Sequence, residues 1–343
     1  MLDLAQSETE KIFTTHLAKL GVVIERQVEL VELVQDEQGI TATLRHAGGR
    51  EEVVKCTWLI GCDGAHSTVR HLLQMPFAGV AYPEDFALAD VKIHWSLPDD
   101  ELHLMLHADG IFAAFPLPGG RYRLIVETSE HAHKEKQPDP TLQDFQRYLK
   151  ERGPEGATLD DPVWMSAFRI SARKVEHYRQ GHVFLAGDAA HIHSPAGGQG
   201  MNTGIQDVCN LAWKLALVHT HHAPLTLLDS YEAERHPVAE SVLQTSDLLI
   251  RMATIRQPLL QQVRNHVVPI LSQLEIVQRR FVEQISELTI HYRNSPIVSE
   301  HIGLPAHLLV HKGPKSGDRA PAVQALYCED GTSTRLFEVL RNA

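Results

Sequence analysis

The stretch that decides the fold is "FLAGDAAHIHSPAGGQGMNTGIQDVCN", Phe184 to Asn210. An apolar strand runs into Gly187-Asp188, and Gly197, Gly198 and Gly200 then strip side chains from the entrance of a long helix. A strand ending in Gly-Asp puts Asp188 at the carboxyl edge of a sheet, where α/β folds bind ligands. A carboxylate at that edge accepts hydrogen bonds from the vicinal hydroxyls of a sugar or sugar alcohol. Pro195 stiffens the turn, and the glycines permit close backbone approach. The helix that begins near Gly200 offers free N–H groups and a positive dipole end. Gly204 continues a small face, leaving room for a flat ligand. A plain connector explains single glycines, but not a carboxylate, a proline and several glycines in this order. The pattern suits a large cofactor with a polyol arm and a ring that becomes anionic.

A second signal is "LIGCDGAHSTVRHLL", Leu59 to Leu73. Asp63 and Gly64 follow an apolar run, Ser67 is placed to cap a short helix, and Arg70 lies one turn beyond it. An aspartate so placed can orient an arginine near a pyrophosphate. An Asp-Gly turn with a capping serine is the competing explanation, weakened by the later motif.

The surroundings set bounds. At 343 residues the chain can bury a sizeable core, and 43% hydrophobic with 22% charged residues is ordinary for a globular protein. A formal net charge of −11 argues against a nucleic-acid or anionic-membrane surface. No apolar run approaches a membrane span, and the acidic start "MLDLAQSETEK" lacks signal-peptide order. Cys56, Cys62, Cys209 and Cys328 form no CxxC pair, so a reducing cytoplasm is expected. The histidine-rich "HTHH" (His219, His221, His222) lacks a recognisable ligand set, and no metal is expected.

Along the chain, Ser7 to Leu20 reads as an amphipathic helix. Strands are expected over "VVIERQVELVELVQ", "ITATLRH" and "VVKCTWLIG", the last buried inside a sheet. "FALADVKIHW", "LHLMLH", "IFAAFPL" and "YRLIVET" suggest a separate antiparallel sheet. "TLQDFQRYLKER" reads as a helix and "WMSAFRIS" as a returning strand. Helices dominate from Asn210 to Tyr292, with Pro224, Pro237, Pro258 and Pro269 as breaks. Loops around "HKGPKSGDRAP" then lead to a short strand and helix.

Taken together, the motifs resemble group A FAD-dependent aromatic hydroxylases of the para-hydroxybenzoate hydroxylase type, especially the phenol and polyketide hydroxylase branch. "CDGAHSTVR" matches that family's Asp-Gly motif and "GDAAHIHSPAGGQGMNTGIQDVCNLAWKLA" its Gly-Asp motif. "LLDSYEAERHPVA", "SELTIHYRNSPIV" and "GDRAP" resemble its later elements. The likeness runs from about Gln6 to Arg319. It implies a mixed α/β fold: a doubly wound FAD-binding domain, an antiparallel substrate-domain sheet and a long helical region.

The resemblance also implies residue roles. Asp188 would bind the ribityl chain and Pro195 would sit beside the flavin ring. The backbone of Gly200, Met201 and Asn202 would face the ring, with Gly187, Gly198 and Gly64 also in the cofactor site. Gln6 resembles a glutamine that contacts FAD, and Asp63 an aspartate shared with the path of the pyridine nucleotide. The implied activity is hydroxylation of a phenol or other electron-rich aromatic ring, using FAD, NAD(P)H and O₂. His191 and His193 are the first candidates for a base, although each also reads as a packing histidine. "ADVKIHW", "IFAAFPL" and "WMSAFRI" are candidates for lining the substrate pocket.

The G-x-G-x-x-G turn that opens such a domain does not occur in the sequence. The expected organisation is therefore 1–75, second part of the FAD-binding domain, lacking its first βαβ unit; 76–175, antiparallel substrate-binding domain; 176–220, completion of the FAD-binding domain; 221–295, helical region; and 296–343, a linker and the start of a truncated thioredoxin-like tail. A chain truncated at both ends would have impaired activity alone. The assembly expected is a homodimer, or a pairing with a chain that carries the missing unit. The alternatives are a non-catalytic remnant or subunit of a split flavoprotein and, among enzymes, a flavin halogenase or reductase of the same fold.

Overall fold

The computed structural model describes residues 4, 6–108, 110–128, 139–195, 198–299, 314–321, 326–327 and 333–342. Gly197, Cys328 and most of the loop before Lys315 lie outside the described residues. Helix α1 (Gln6–Lys19) forms where the apolar periodicity predicts it, but none of its residues is buried by the described chain. Strands β1 (Val28–Asp36), β2 (Gly39–His46) and β3 (Glu51–Cys56) make an antiparallel sheet in the order β1-β2-β3. The first turn forms because Asp36 Oδ1 accepts hydrogen bonds from the backbone N–H groups of Gln38 and Gly39 at 2.8 and 3.1 Å.

The run "VVKCTWLIG" is not one strand. It divides at Thr57-Trp58: β3 stays with β2, and β4 (Leu59–Gly61) joins another sheet. Its two halves have different partners, and an unbroken hydrophobic run cannot reveal that. Helix α2 (Thr68–Leu72) follows the Asp-Gly turn.

The largest sheet holds β5 (Phe77–His94), β6 (His103–His107), β7 (Gly110–Leu117), β8 (Arg121–Glu127) and β9 (Thr158–Val175). Helix α3 (Leu142–Arg152) lies before β9 and is opened by a capping box of Thr141 and Asp144. β5 and β9, each 18 residues long, form the antiparallel spine of this sheet. Period-2 alternation gives the sheet two different faces. Ala87, Ala89, Val91, Phe112 and Leu124 pack on Phe145 and Leu149 of α3, whereas Phe86, Ile111 and Ile170 cluster with Ile250.

After β9 come β10 (Arg179–Gln180), β11 (Val183–Leu185) and β12 (His191–Ile192). β11 pairs parallel with β4, the only parallel pairing among the described residues. β12 pairs with β9, so the few residues of the Gly-Asp turn cross from one sheet to the other.

Helix α4 (Gly200–His219) starts at the predicted residue, and α5 (Asp229–Ala253), α6 (Pro258–Ser272) and α7 (Glu275–Ile285) follow. Two of the expected proline breaks are absent: α5 runs through Pro237 and α6 through Pro269. A helix-interior proline costs about 3 kcal/mol. In α5 that cost is offset by buried packing on both sides of Pro237, at Tyr231, Arg235, Val238, Ala239 and Val242. Pro258 instead occupies the first helical turn, where its missing N–H is not needed. β13 (Leu326–Tyr327), β14 (Ser333–Thr334) and α8 (Leu336–Asn342) complete the described chain.

Candidate cofactor cleft

A cleft of about 1360 Å³ opens between the Gly-Asp turn, the start of α4, the Asp-Gly turn and β9. That exceeds the roughly 300–1000 Å³ typical of small-ligand pockets and suits a dinucleotide-sized occupant. Its wall includes Gln6, Gly64, Gly187, Asp188, His193, Pro195, Gly198, Gly200 and Met201. Asp63, His191 and Asn202 are not in that wall.

Local geometry explains the placement of Asp188. The Ala186 N–H still donates to Gly61 O at 3.0 Å, extending the pairing of β11 with β4. Gly187 then adopts φ +58°, a left-handed conformation that disfavours any side chain. A 3-10 turn over Gly187–Ala189 leaves the Asp188 carboxylate exposed on the cleft wall. Gly204 permits a close approach from the other side, since a Cβ there would stand a tight 3.2 Å from Gly187 Cα. Its chief role is thus close packing of α4 on the turn, although it also lines the cleft.

The start of α4 has no side-chain cap. The residue before it, Gln199, turns away, its Nε2 donating to Gln284 O at 2.9 Å. Gly198, Gly200 and Met201 therefore bring the uncapped helix end to the cleft. An anion beside it gains about 0.3–1 kcal/mol if exposed, and up to ~2 if partly buried.

The Asp-Gly motif works differently from the expectation. Asp63 does not hydrogen-bond to Arg70: its Oδ1 accepts from Ser67 Oγ at 2.5 Å and its Oδ2 from Val69 N at 3.0 Å. Ser67 Oγ in turn caps α2 by accepting from Arg70 N at 3.0 Å. Arg70, 3% exposed, donates to Ala65 O at 2.8 Å and Ala189 O at 2.9 Å, and lies over the Phe77 ring. It ties α2 to the Gly-Asp turn.

The two candidate histidines separate clearly. His191 is buried, and its Nε2 lies 2.7 Å from Asp207 Oδ2, away from the cleft. His193 lines the cleft, with Nδ1 2.7 Å from Ser194 O. A carbonyl only accepts, so Nδ1 carries the proton and Nε2 is a bare acceptor, without a partner among the described residues. Burial holds the His193 pKa below the usual histidine range.

Of the suggested substrate-lining segments, only "WMSAFRI" reaches this cleft, through Phe168, Arg169 and Ile170. Ala89, Val91 and Ile93 of "ADVKIHW" instead face α3, and "IFAAFPL" divides between the two sheet faces. Alternation shows which residues share a face, not which face meets a ligand.

Sequence reading missed Asp207 and Arg235, both fully buried. Asp207 accepts from Gly187 N at 3.1 Å, His191 Nε2 at 2.7 Å and Arg235 Nε at 2.6 Å. The available signal was spacing: Asp207 lies seven residues, two helical turns, beyond Gly200, on the same face of α4.

A carboxylate and an uncapped helix end, opening together onto a large cleft at the carboxyl edge of a parallel pair, define an α/β protein built to hold a dinucleotide cofactor. An exposed carboxylate and a glycine-lined turn have the chemistry FAD needs, and residues 1–246 match the family model described as FAD binding domain. The chain belongs to this FAD-binding family, and FAD is its cofactor. It is 34% identical over 345 residues to pentachlorophenol 4-monooxygenase of Sphingobium chlorophenolicum, covering 98% of this chain and 60% of that protein. It is 39% identical over 310 residues to 6-methylpretetramide 4-monooxygenase of Streptomyces rimosus, covering 87% and 53%. Among solved structures, anhydrotetracycline hydroxylase from Streptomyces rimosus is similar with a TM-score of 0.77 at 34% identity, covering 98% of this chain and 63% of that one. The chain thus spans between 53% and 63% of the length of these relatives. No helix among the described residues is long and apolar enough to cross a membrane.

Proposed function

We propose that the protein acts in FAD-dependent monooxygenation, hydroxylating a phenol or similarly electron-rich aromatic ring with NAD(P)H and O₂. One observation carries the reading: the Asp188 carboxylate and the uncapped start of α4 open onto the same cleft as the apolar side chains of Phe168 and Ile170. A polar cradle for the cofactor and a wall that mixes Phe168 and Ile170 with Arg123, Arg169 and Arg173 thus share one cavity. The names of the similar monooxygenases support the same reading.

Bound FAD supplies the electron and oxygen chemistry. Asp188 would accept hydrogen bonds from the ribityl hydroxyls. Pro195, Gly198, Gly200 and Met201 would hold the ring end, and Gln6, Gly64 and Gly187 would complete the site, with Asp63 bracing the Asp-Gly turn from outside the cleft wall. His193 is the base to test: burial favours its neutral form, and its Nε2, buried beside Gly200, would have to turn towards the cleft to accept a proton from a ring hydroxyl. His191 is committed to Asp207 and is not that base. The compartment we favour is the cytoplasm, consistent with cysteines that show no framework spacing.

The test is consumption of NADH and NADPH by FAD-loaded protein with a panel of phenols, with products followed by mass spectrometry. A substrate-dependent gain of one oxygen atom is expected. Preferred turnover of an electron-poor ring lacking hydroxyl and amino groups would overturn the substrate class.

A further inference from the structure

The Gly-Asp turn is held from behind by a buried polar chain that reaches into the helical region. The Gly187 N–H, one residue before Asp188, donates to Asp207 Oδ2 at 3.1 Å. Arg235 on α5 donates through Nε to Asp207 Oδ1 at 2.6 Å, through Nη1 to Tyr292 Oη at 2.9 Å and through Nη2 to Thr203 O at 3.1 Å. The Tyr292 N–H in turn donates to Gly317 O at 2.6 Å. Asp207 and Arg235 are both 0% exposed. Burial would raise the Asp207 pKa, but the bonds and charges of His191 and Arg235 outweigh it and hold the carboxyl below its ordinary value.

Replacing a buried ion pair with apolar residues is often neutral or stabilising, so stability alone does not account for this one. What the pair does geometrically is specific. It anchors a backbone N–H at the residue whose left-handed φ sets the direction of the next side chain. From this juxtaposition we propose that Asp207, compensated by Arg235, is a positioning residue that aims the Asp188 carboxylate at the polyol arm of FAD. The proposal rests on the reading of Asp188 as the ribityl ligand. It makes cofactor affinity depend on α5 and on the segment around Tyr292, neither of which lines the cleft.

The experiment is a double-mutant cycle read by FAD titration, with the visible absorption and circular dichroism of the bound flavin as a second readout. The variants are Asp188→Ala, which removes the acceptor, Asp207→Asn and the double variant. If Asp207 acts through Asp188, each single change weakens FAD by about tenfold and the double variant is no weaker than the worse single one, within about twofold. Asp207→Asn should also shift the flavin circular dichroism band as Asp188→Ala does. Multiplicative losses, about a hundredfold in the double variant, would show two independent effects and overturn the proposal. Wild-type affinity in folded Asp207→Asn would also overturn it while leaving the role of Asp188 intact. Wild-type affinity in Asp188→Asn and Asp188→Ala would instead remove the underlying reading, and the proposal with it. Should Asp207→Asn fail to fold, Arg235→Lys keeps the charge but loses the fork. Its effect on affinity must likewise vanish in the Asp188→Ala background; an undiminished effect there would contradict the proposal.

Discussion

Gly204 of α4 lies so close to Gly187 of the Gly-Asp turn that a Cβ built on it would stand 3.2 Å from Gly187 Cα. Alanine gains about 1 kcal/mol over glycine inside a helix. The close contact opposes that gain by pushing α4 away from the turn. Gly204→Ala should therefore melt within a few degrees of wild type yet bind FAD more weakly. Gly187→Ala must also hold φ +58°, at a cost of about 1–2 kcal/mol. It should lose both Tm and affinity. Full affinity in both variants would show that the approach of helix to turn does not shape the site.

Asp188→Ala should weaken FAD binding more than Asp188→Asn does. Hydrogen bonds to charged groups contribute about 1.5–3 kcal/mol, so alanine should raise the Kd roughly ten- to a hundredfold. Asparagine keeps one acceptor and the shape, and should lose less. Fluorescence titration with FAD measures both. Equal Kd values for all three proteins would remove Asp188 from the site.

His193 gives a pH signature. Burial lowers its pKa, against smaller opposing pulls from the Ser194 carbonyl and Asp188. As pH falls through about 6.5, the unfolded chain binds a proton at this position that the folded chain still excludes. Stability is therefore lost from that pH downward, until the folded state also protonates. His193→Gln removes the difference. Wild type should lose more Tm than the variant between about pH 7.5 and pH 5. Parallel Tm curves would contradict the buried, neutral assignment.

Lys214 and Glu234 form a buried pair at 2.7 Å, and Glu234 also accepts from Asn210 Nδ2 and Ser295 Oγ, each at 2.6 Å. Lys214 is 0% exposed. Lys214→Met leaves a buried carboxylate without its cation and should cost about 3–5 kcal/mol in urea denaturation. Adding Glu234→Gln should recover a large part of that loss. A single variant as stable as wild type would show that the pair is not charge-compensating.

Much of this was legible in the sequence because it is encoded locally. The turn at Gly187-Asp188, the α4 start at Gly200 and the Ser67 cap each depend on a few adjacent residues. The long-range pairings were not legible. Nothing in "VVKCTWLIG" signals that Val53 pairs with Thr43 while Leu59 pairs with Val183. An aspartate on an amphipathic helix reads as solvated until its partner is seen, and Arg235 lies 28 residues beyond Asp207. Pro237 was misleading because buried contacts to either side outweigh the local helix-breaking preference.

On this reading the Gly-Asp turn and the start of α4 cradle FAD. A crystal structure of the protein at saturating FAD tests it most directly. The predicted result is density in the cleft, with ribityl hydroxyls within hydrogen-bond distance of Asp188 and the ring end beside Gly198 to Met201. FAD bound elsewhere, or bound in the cleft with Asp188 turned away from it, would contradict the account.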